Sequence, residues 1–200
     1  MDVRGRPLVF GLGNPGPRYH GTRHNVGWRV VETLVSRWRA REEWPGPVYR
    51  GWVAERNGQA VHLAVPLTFM NLSGAAIAAW MARHGGDRAG LLVVSDDVYL
   101  PLETLRFRRH GSNGGHRGLA SLDIALAGDR WARLRLGVGA AADAEALKEH
   151  VLERFGPDEV DRVETMITRA ADAVECWLDE GPAAAMNRYN RRVTKEVEEP

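Results

Sequence analysis

Two short apolar runs constrain this chain more than any other feature. Leu8–Gly11 ("LVFG") and Leu91–Val94 ("LLVV") show no polar alternation, which is the pattern of short strands buried inside a sheet rather than lying at its wet surface. Between and after them the period changes. From Asn25 onward Val26, Val30, Leu34 and Trp38 recur every four residues while Arg29, Glu32, Arg37 and Arg39 fall on other faces, predicting an amphipathic helix that begins near Asn25. "VYRGWVAER" and "AVHLAVP" flank Asn57-Gly58, a hairpin turn signal. A second helix follows through "GAAIAAWMARH", closed by Gly85-Gly86.

Two later stretches alternate with period two. Leu105 and Phe107 oppose Arg106 and Arg108, and Leu134, Leu136 and Val138 oppose Arg133 and Arg135, so both read as half-buried strands with a basic outer face. The longest helix is expected from about Asp158 to Asp179, with Val160, Val163, Ile167, Ala170, Val174 and Trp177 inward and a largely acidic face meeting water. Strands interleaved with helices, plus one hairpin, imply an α/β fold: a single domain with a mixed twisted β-sheet surrounded by α-helices. Its expected extent is residues 1–193, followed by a short charged tail, 194–200, that frays.

The net charge is only +1, but residues 141–200 carry −7 and residues 1–140 carry +8. Such asymmetry suits a surface that faces an anion. The single cysteine, Cys176, falls on the apolar side of the long helix and can form no internal disulfide, which fits a reducing compartment. No stretch resembles a signal peptide or approaches the ~20 apolar residues of a membrane span. A soluble cytoplasmic protein, without a membrane association, is expected.

After the first strand, Gly11, Gly13 and Gly16 spell G-x-G-x-x-G, the outline of a dinucleotide loop. Context excludes that reading. Pro15 and Pro17 intervene, the helix starts only near Asn25, and the acidic residue at the appropriate distance, Glu32, lies inside the helix. What remains is a tight turn that delivers His24 and Asn25 to a helix start. There they either cap the helix or do chemistry, since a helix N-terminus favours the neutral imidazole that can accept a proton.

Other polar residues at element ends weigh toward chemistry. Asn71 lies between a strand and a helix, Asp96 ends a central strand, and His116 sits on a glycine-rich flexible loop before another helix. Asp96 can accept from one nitrogen of His24 and leave the other free to take a proton from water. Asn14 and Asn71 offer amides to a carbonyl or its oxyanion. No serine sits in a G-x-S-x-G elbow, so water is the expected nucleophile. His20 and His24 are spaced H-x-x-x-H, but Gly-Thr-Arg lies between them and prolines precede them, so neither zinc nor any other metal is expected.

These residues together make the chain resemble the bacterial-type peptidyl-tRNA hydrolases. Four motifs in order carry the resemblance over nearly the whole length: "GLGNPGPRYHGTRHNVGW", "PLTFMNLSG", "SDDVYLPLETLRFRRHGSNGGHRGLASL" and "RLRLGVG". It implies hydrolysis of the ester between a peptide and the terminal ribose of tRNA, with no cofactor and no metal. His24 would be the general base and Asp96 its orienting carboxylate, while Asn14 and Asn71 would bind the peptide backbone and help fix the imidazole. Tyr19, Met70, Phe69 and Asn25 would contribute to substrate binding, and His116 and Arg117 to a mobile gate. Arg108 and Arg135, and secondarily Arg106 and Arg133, would meet tRNA phosphates without reading sequence. A monomer with no obligate protein partner is expected. Three positions depart from the family pattern: Arg117 stands for a usual Asn, Phe69 for a common Tyr, and Glu103 for a common Gly. The alternative is a non-catalytic, splicing-factor-like RNA-binding protein on the same fold.

Overall fold

The computed structural model describes residues 6–140 and 146–190; the expected tail, 194–200, lies outside them. Seven strands form one mixed sheet: β1 (Leu8–Gly11), β2 (Arg41–Pro45), β3 (Tyr49–Arg56), β4 (Gln59–Pro66), β5 (Leu91–Asp97), β6 (Leu105–Arg108) and β7 (Ala132–Gly137), in the order β2-β3-β4-β1-β5-β7-β6. The two apolar runs are neighbours at its centre. β1 runs parallel to both β4 and β5, and β5 parallel to β7. The outer pairs β2–β3, β3–β4 and β6–β7 are antiparallel. Asn57 and Gly58, both at positive φ (50° and 75°), make the tight turn between β3 and β4.

Among the described residues six helices flank the sheet: α1 (Val26–Trp38), α2 (Ser73–His84), α3 (Arg117–Ala125), α4 (Leu147–Leu152), α5 (Val160–Glu180) and α6 (Pro182–Tyr189). One face of the sheet packs against α1 and α5 through Val9, Leu63, Val94, Leu136, Val30, Leu34, Val163, Ile167 and Val174. The opposite face packs against α2 and α3 through Phe10, Ala64, Val93, Ile77, Trp80, Leu119 and Leu122. The helix periodicities thus fall where the sequence puts them, with two corrections on α5. Val160, the first residue of α5, is exposed rather than core. The acidic face is not simply wet either: Glu164, Asp172, Glu175 and Asp179 pair with Arg29, Arg37 and Arg56 of α1 and the hairpin.

The half-buried reading of β6 holds: Leu105 and Phe107 are inward and Arg106 and Arg108 exposed. At β7 the basic outer face is corrected. Arg133 is fully buried, lies over the Trp131 ring at 3.8 Å, and donates to the carbonyls of Ser112 and Asp129. Burial pulls its guanidinium down to about 10. A phosphate contact from Arg133 is therefore withdrawn. Asn190 covers β6, its amide accepting from Phe107 N (2.6 Å) and donating to Phe107 O (3.1 Å), which satisfies part of an otherwise open sheet edge. Glu103, the residue in place of a common glycine, adopts φ 72° and accepts from Arg162 Nε at 2.9 Å.

The opening glycines serve close packing. A Cβ on Gly27, in the first turn of α1, would lie 2.3 Å from the Val94 carbonyl oxygen, and one on Gly11 would lie 2.3 Å from the carbonyl oxygen of Gly27. The first turn of α1 can therefore sit directly on β1 and β5, with Trp28 N donating to Leu12 O at 3.0 Å. Gly27→Ala must push backbone from backbone, and overpacking of this kind costs about 1–3 kcal/mol. We expect a fall in Tm of at least about 2 °C per kcal/mol, read by thermal unfolding; an unchanged Tm would show that α1 lifts without penalty.

Candidate active site

Because β1, β4 and β5 are parallel, their carboxyl ends open on one edge of the sheet, where sites collect in α/β folds. The loop after β1 carries Asn14 and Tyr19, a 3₁₀ turn after β4 carries Met70 and Asn71 (Met70–Leu72), and β5 ends at Asp96 and Asp97. A second 3₁₀ turn, Arg23–Asn25, leads into α1 and presents His24. These residues line a cleft of about 580 Å³, closed on its far side by His116 and Arg117 and by Leu147, Lys148, Val151 and Leu152 of α4.

Asp96 is 2 % exposed and receives two imidazoles on the same carboxylate oxygen: His24 Nδ1 at 2.8 Å and His116 Nε2 at 2.9 Å. Burial alone would push its carboxyl up. The two imidazoles outweigh that, by charge and by hydrogen bonding, and hold it well below the usual carboxylate range. The tautomer of His116 follows from its other nitrogen. Nδ1 accepts from the backbone N–H groups of Gly118 (3.1 Å) and Leu119 (3.3 Å), capping α3, so the proton resides on Nε2 and is donated to Asp96. His116 sits where the loop meets α3, as its sequence position implies, and its ring is held at both nitrogens. His24 in turn donates Nδ1–H to Asp96, which leaves the Nε2 lone pair as its basic position.

Asn25 occupies the N-cap position of α1 but its side chain makes no capping hydrogen bond, and His24 lies one residue earlier in the 3₁₀ turn. Asn25 is buried and outside the cleft lining, which removes it from direct substrate contact. Its Oδ1 accepts from Asn14 N (2.9 Å) and its Nδ2 donates to Asn14 O (2.9 Å). Asn14 Oδ1 accepts from Met70 N at 2.8 Å, so Asn14 is fixed through both its backbone and its side-chain oxygen. Asn71 is exposed at the rim, and Phe69, half exposed, meets Tyr19 edge-on at 6.2 Å. Arg117 is exposed at the cleft. Arg135 lines the cleft but is engaged by Asp97 Oδ2 (3.1 Å) and the Ser112 carbonyl.

Three contributors lay outside the sequence reading. Asp97 accepts from Tyr99 N (2.9 Å) besides holding Arg135, and it shared the "SDD" motif with Asp96. The α4 wall was signalled only by Leu147 and Val151, four residues apart. Arg23 gave no signal. Its guanidinium reaches Glu159, 136 residues away (2.6 and 3.0 Å), and Val138 O (2.9 Å), and lies over Phe155 at 4.6 Å. It anchors the turn that carries His24.

His24, Asp96 and His116 also bring two ring nitrogens and a carboxylate oxygen within 4.8 Å of one another. A metal there would have to displace both N–H protons that already satisfy Asp96, so hydrogen bonding is the better use of this donor set. An imidazole held by a buried carboxylate, beside amides and an open cleft, is the arrangement of a hydrolase active site.

The comparisons with known proteins agree. The Peptidyl-tRNA hydrolase family matches residues 8–198. Peptidyl-tRNA hydrolases of Methylacidiphilum infernorum (42 % identical, covering 92 % of this chain and 97 % of that protein) and Chloroflexus aggregans (44 %, 92 % and 98 %) are similar to it. The crystal structure of peptidyl-tRNA hydrolase from Acinetobacter baumannii superposes with a TM-score of 0.86 at 28 % identity, covering 92 % of this chain and 94 % of that one. The chain belongs to the peptidyl-tRNA hydrolase family.

The Arg23–Glu159 pair yields a pH-dependent prediction. The hydrogen bonds from Arg23 hold the Glu159 carboxyl below its ordinary 4.5. A lowered folded pKa means that the stabilisation is complete above the ordinary glutamate range and is lost as pH falls through it toward the folded value. Glu159→Gln should therefore melt below the wild type at pH 7, by the equivalent of about 1.5–3 kcal/mol at most, and the two curves should converge in acid. A pH-independent gap in Tm would show that the charge is not what matters.

Proposed function

We propose that this chain hydrolyses the ester between the peptide and the terminal ribose of peptidyl-tRNA, returning tRNA from stalled translation, with His24 as general base. The observation that carries this reading is the single Asp96 oxygen shared by His24 and His116, which leaves Nε2 of His24 as the basic position beside the cleft. A water oxygen attacks the ester carbonyl carbon while His24 Nε2 takes its proton. Asp96 stabilises the imidazolium, and the Asn14 and Asn71 amides donate to the oxyanion. Collapse breaks the bond to the ribose oxygen, which leaves with the proton returned from His24.

His116 acts as a positioning residue in this scheme, since its only available proton is spent on Asp96. Tyr19, Phe69 and Met70 offer an apolar surface to the peptide. Arg106 and Arg108, exposed on the edge strand β6, serve tRNA phosphates, with Arg117 contributing at the cleft and Arg135 retained mainly as a wall. We read the enzyme as a cytoplasmic monomer. No helix among the described residues is long and apolar enough to cross a membrane, and Cys176 is a free, buried thiol. The non-catalytic RNA-binding alternative has nothing in its favour, because a pure binder has no use for an intact proton-transfer set.

His24→Ala should lose about 10²–10⁴ in kcat with tRNA binding retained, and Asp96→Asn should lose less, near 10²; both are read by release of tRNA from purified peptidyl-tRNA. Near-normal turnover by His24→Ala removes the general-base role. Arg106→Ala with Arg108→Ala should raise KM and flatten its salt dependence by about 0.7–0.9 log unit for each phosphate no longer neutralised. Arg117→Asn should do the same for a single phosphate. An unchanged salt slope counts against the phosphate assignment.

A further inference from the structure

A second cluster of ligand-type side chains lies away from the cleft, on the α2 face of the sheet. It consists of Glu43 on β2, His62 on β4 and His84, the last residue of α2. One donor atom from each lies within 4.8 Å of the others. Three independent features of the local structure converge on this point.

His62 is 4 % exposed, and its Nδ1 has no hydrogen-bond partner. Glu43 Oε2 is 3.1 Å from that nitrogen, close enough for attraction but without hydrogen-bond geometry. A buried ring nitrogen left in this state carries a desolvation penalty that needs an explanation. Glu43, moreover, is the extra residue of a β-bulge: Glu42 pairs with Trp52 and Trp44 with Gly51, so Glu43 has no partner in the register. Bulges re-aim side chains, and this one turns a carboxylate toward a buried imidazole. Finally, the rings are packed together. Trp80 stacks on His84 (4.8 Å between centroids, 20°) and meets His62 edge-on at 5.5 Å, while the two imidazoles lie 5.1 Å apart. The Tyr49 hydroxyl lies 3.4 Å from His84 Nε2. The arginines of the neighbourhood are engaged elsewhere, Arg6 with the His84 carbonyl oxygen and Arg83 over the Trp44 ring.

We propose that Glu43, His62 and His84 form a binding site for a divalent transition-metal ion of the zinc class, with the Tyr49 hydroxyl or a water in the fourth position. Two imidazoles and a carboxylate are the donors such ions prefer. Bonds of about 2.0–2.1 Å in a tetrahedron require donors about 3.4 Å apart, so the set must close by about an ångström, within reach of Glu43 and His84 side-chain rotation. Bound there, the ion would tie edge strand β2 to β4 and to the end of α2. Its role would be structural, and the ion would take no part in the hydrolysis.

The test uses the full chain stripped by chelator and then dialysed free of it, titrated with Zn²⁺ by calorimetry and with Co²⁺ by visible absorption. The expected result is one ion per chain, intense Co²⁺ ligand-field bands of a four-coordinate site, and a Tm that rises with Zn²⁺. His84→Gln and Glu43→Gln, which alter less-buried ligands and leave the buried His62 in place, should each weaken binding at least about tenfold while hydrolysis of peptidyl-tRNA in metal-free buffer is unchanged. His24→Ala should leave Zn²⁺ affinity unaltered. Absence of stoichiometric binding overturns the proposal, as does binding that survives His84→Gln and Glu43→Gln but is lost in His24→Ala, which would place the ion in the cleft.

Discussion

A negative charge withdrawn from water at the end of β5 organises this molecule. An isolated carboxylate as buried as Asp96 would be strongly disfavoured, and it persists because two N–H donors converge on one of its oxygens. Each donor imposes a demand on the chain. His116 must keep its proton on Nε2, which it does by capping α3 with Nδ1. His24 must arrive one step before α1, so the first turn of that helix has to lie on the strand that bears Asp96. The absence of a side chain on Gly27, whose Cβ would lie 2.3 Å from the Val94 carbonyl oxygen, makes that approach sterically feasible.

Fixing the His24 imidazole is then a matter of fixing the loop around it. Asn25 clamps Asn14 through reciprocal amide bonds, Asn14 clamps Met70, and Arg23 ties the His24 turn to Glu159 and Val138. None of Asn25, Arg23 or Glu159 need touch substrate. They lower the entropic cost of aligning the groups that do, which is where preorganised sites derive much of their rate.

The extent to which all this was legible in the sequence follows the range of the interactions. Central strands, α1, α2, the hairpin and most of α5 were readable because periodicity and turn chemistry are local, and His24 and Asp96 because they sit at element ends. Arg133 was misread because alternation reports which face a side chain leaves the strand on, not what covers that face. Trp131 and the carbonyls of Ser112 and Asp129 cover it. Arg23 and Glu159 could not be paired without the fold, since nothing local links residues 136 apart. β2 was missed for a related reason: "REEWP" is charged and ends in proline, and only its pairing with β3 makes it a strand.

The charge asymmetry of the chain acquires a sharper meaning once the pairs are known. Much of the positive excess in residues 1–140 is neutralised internally, Arg29, Arg37 and Arg56 by the acidic face of α5 and Arg23 by Glu159. Arg133 is buried and Arg135 engaged. Among the described residues, Arg106, Arg108 and Arg117 form no ion pair with an acidic side chain. Net charge therefore overstates the cationic surface, and part of what remains lies on the edge strand β6 and at the rim of the cleft. Phosphate contacts from such a surface would be indifferent to base sequence, as the proposed substrate class requires, and would leave selection to the groups that meet the peptide.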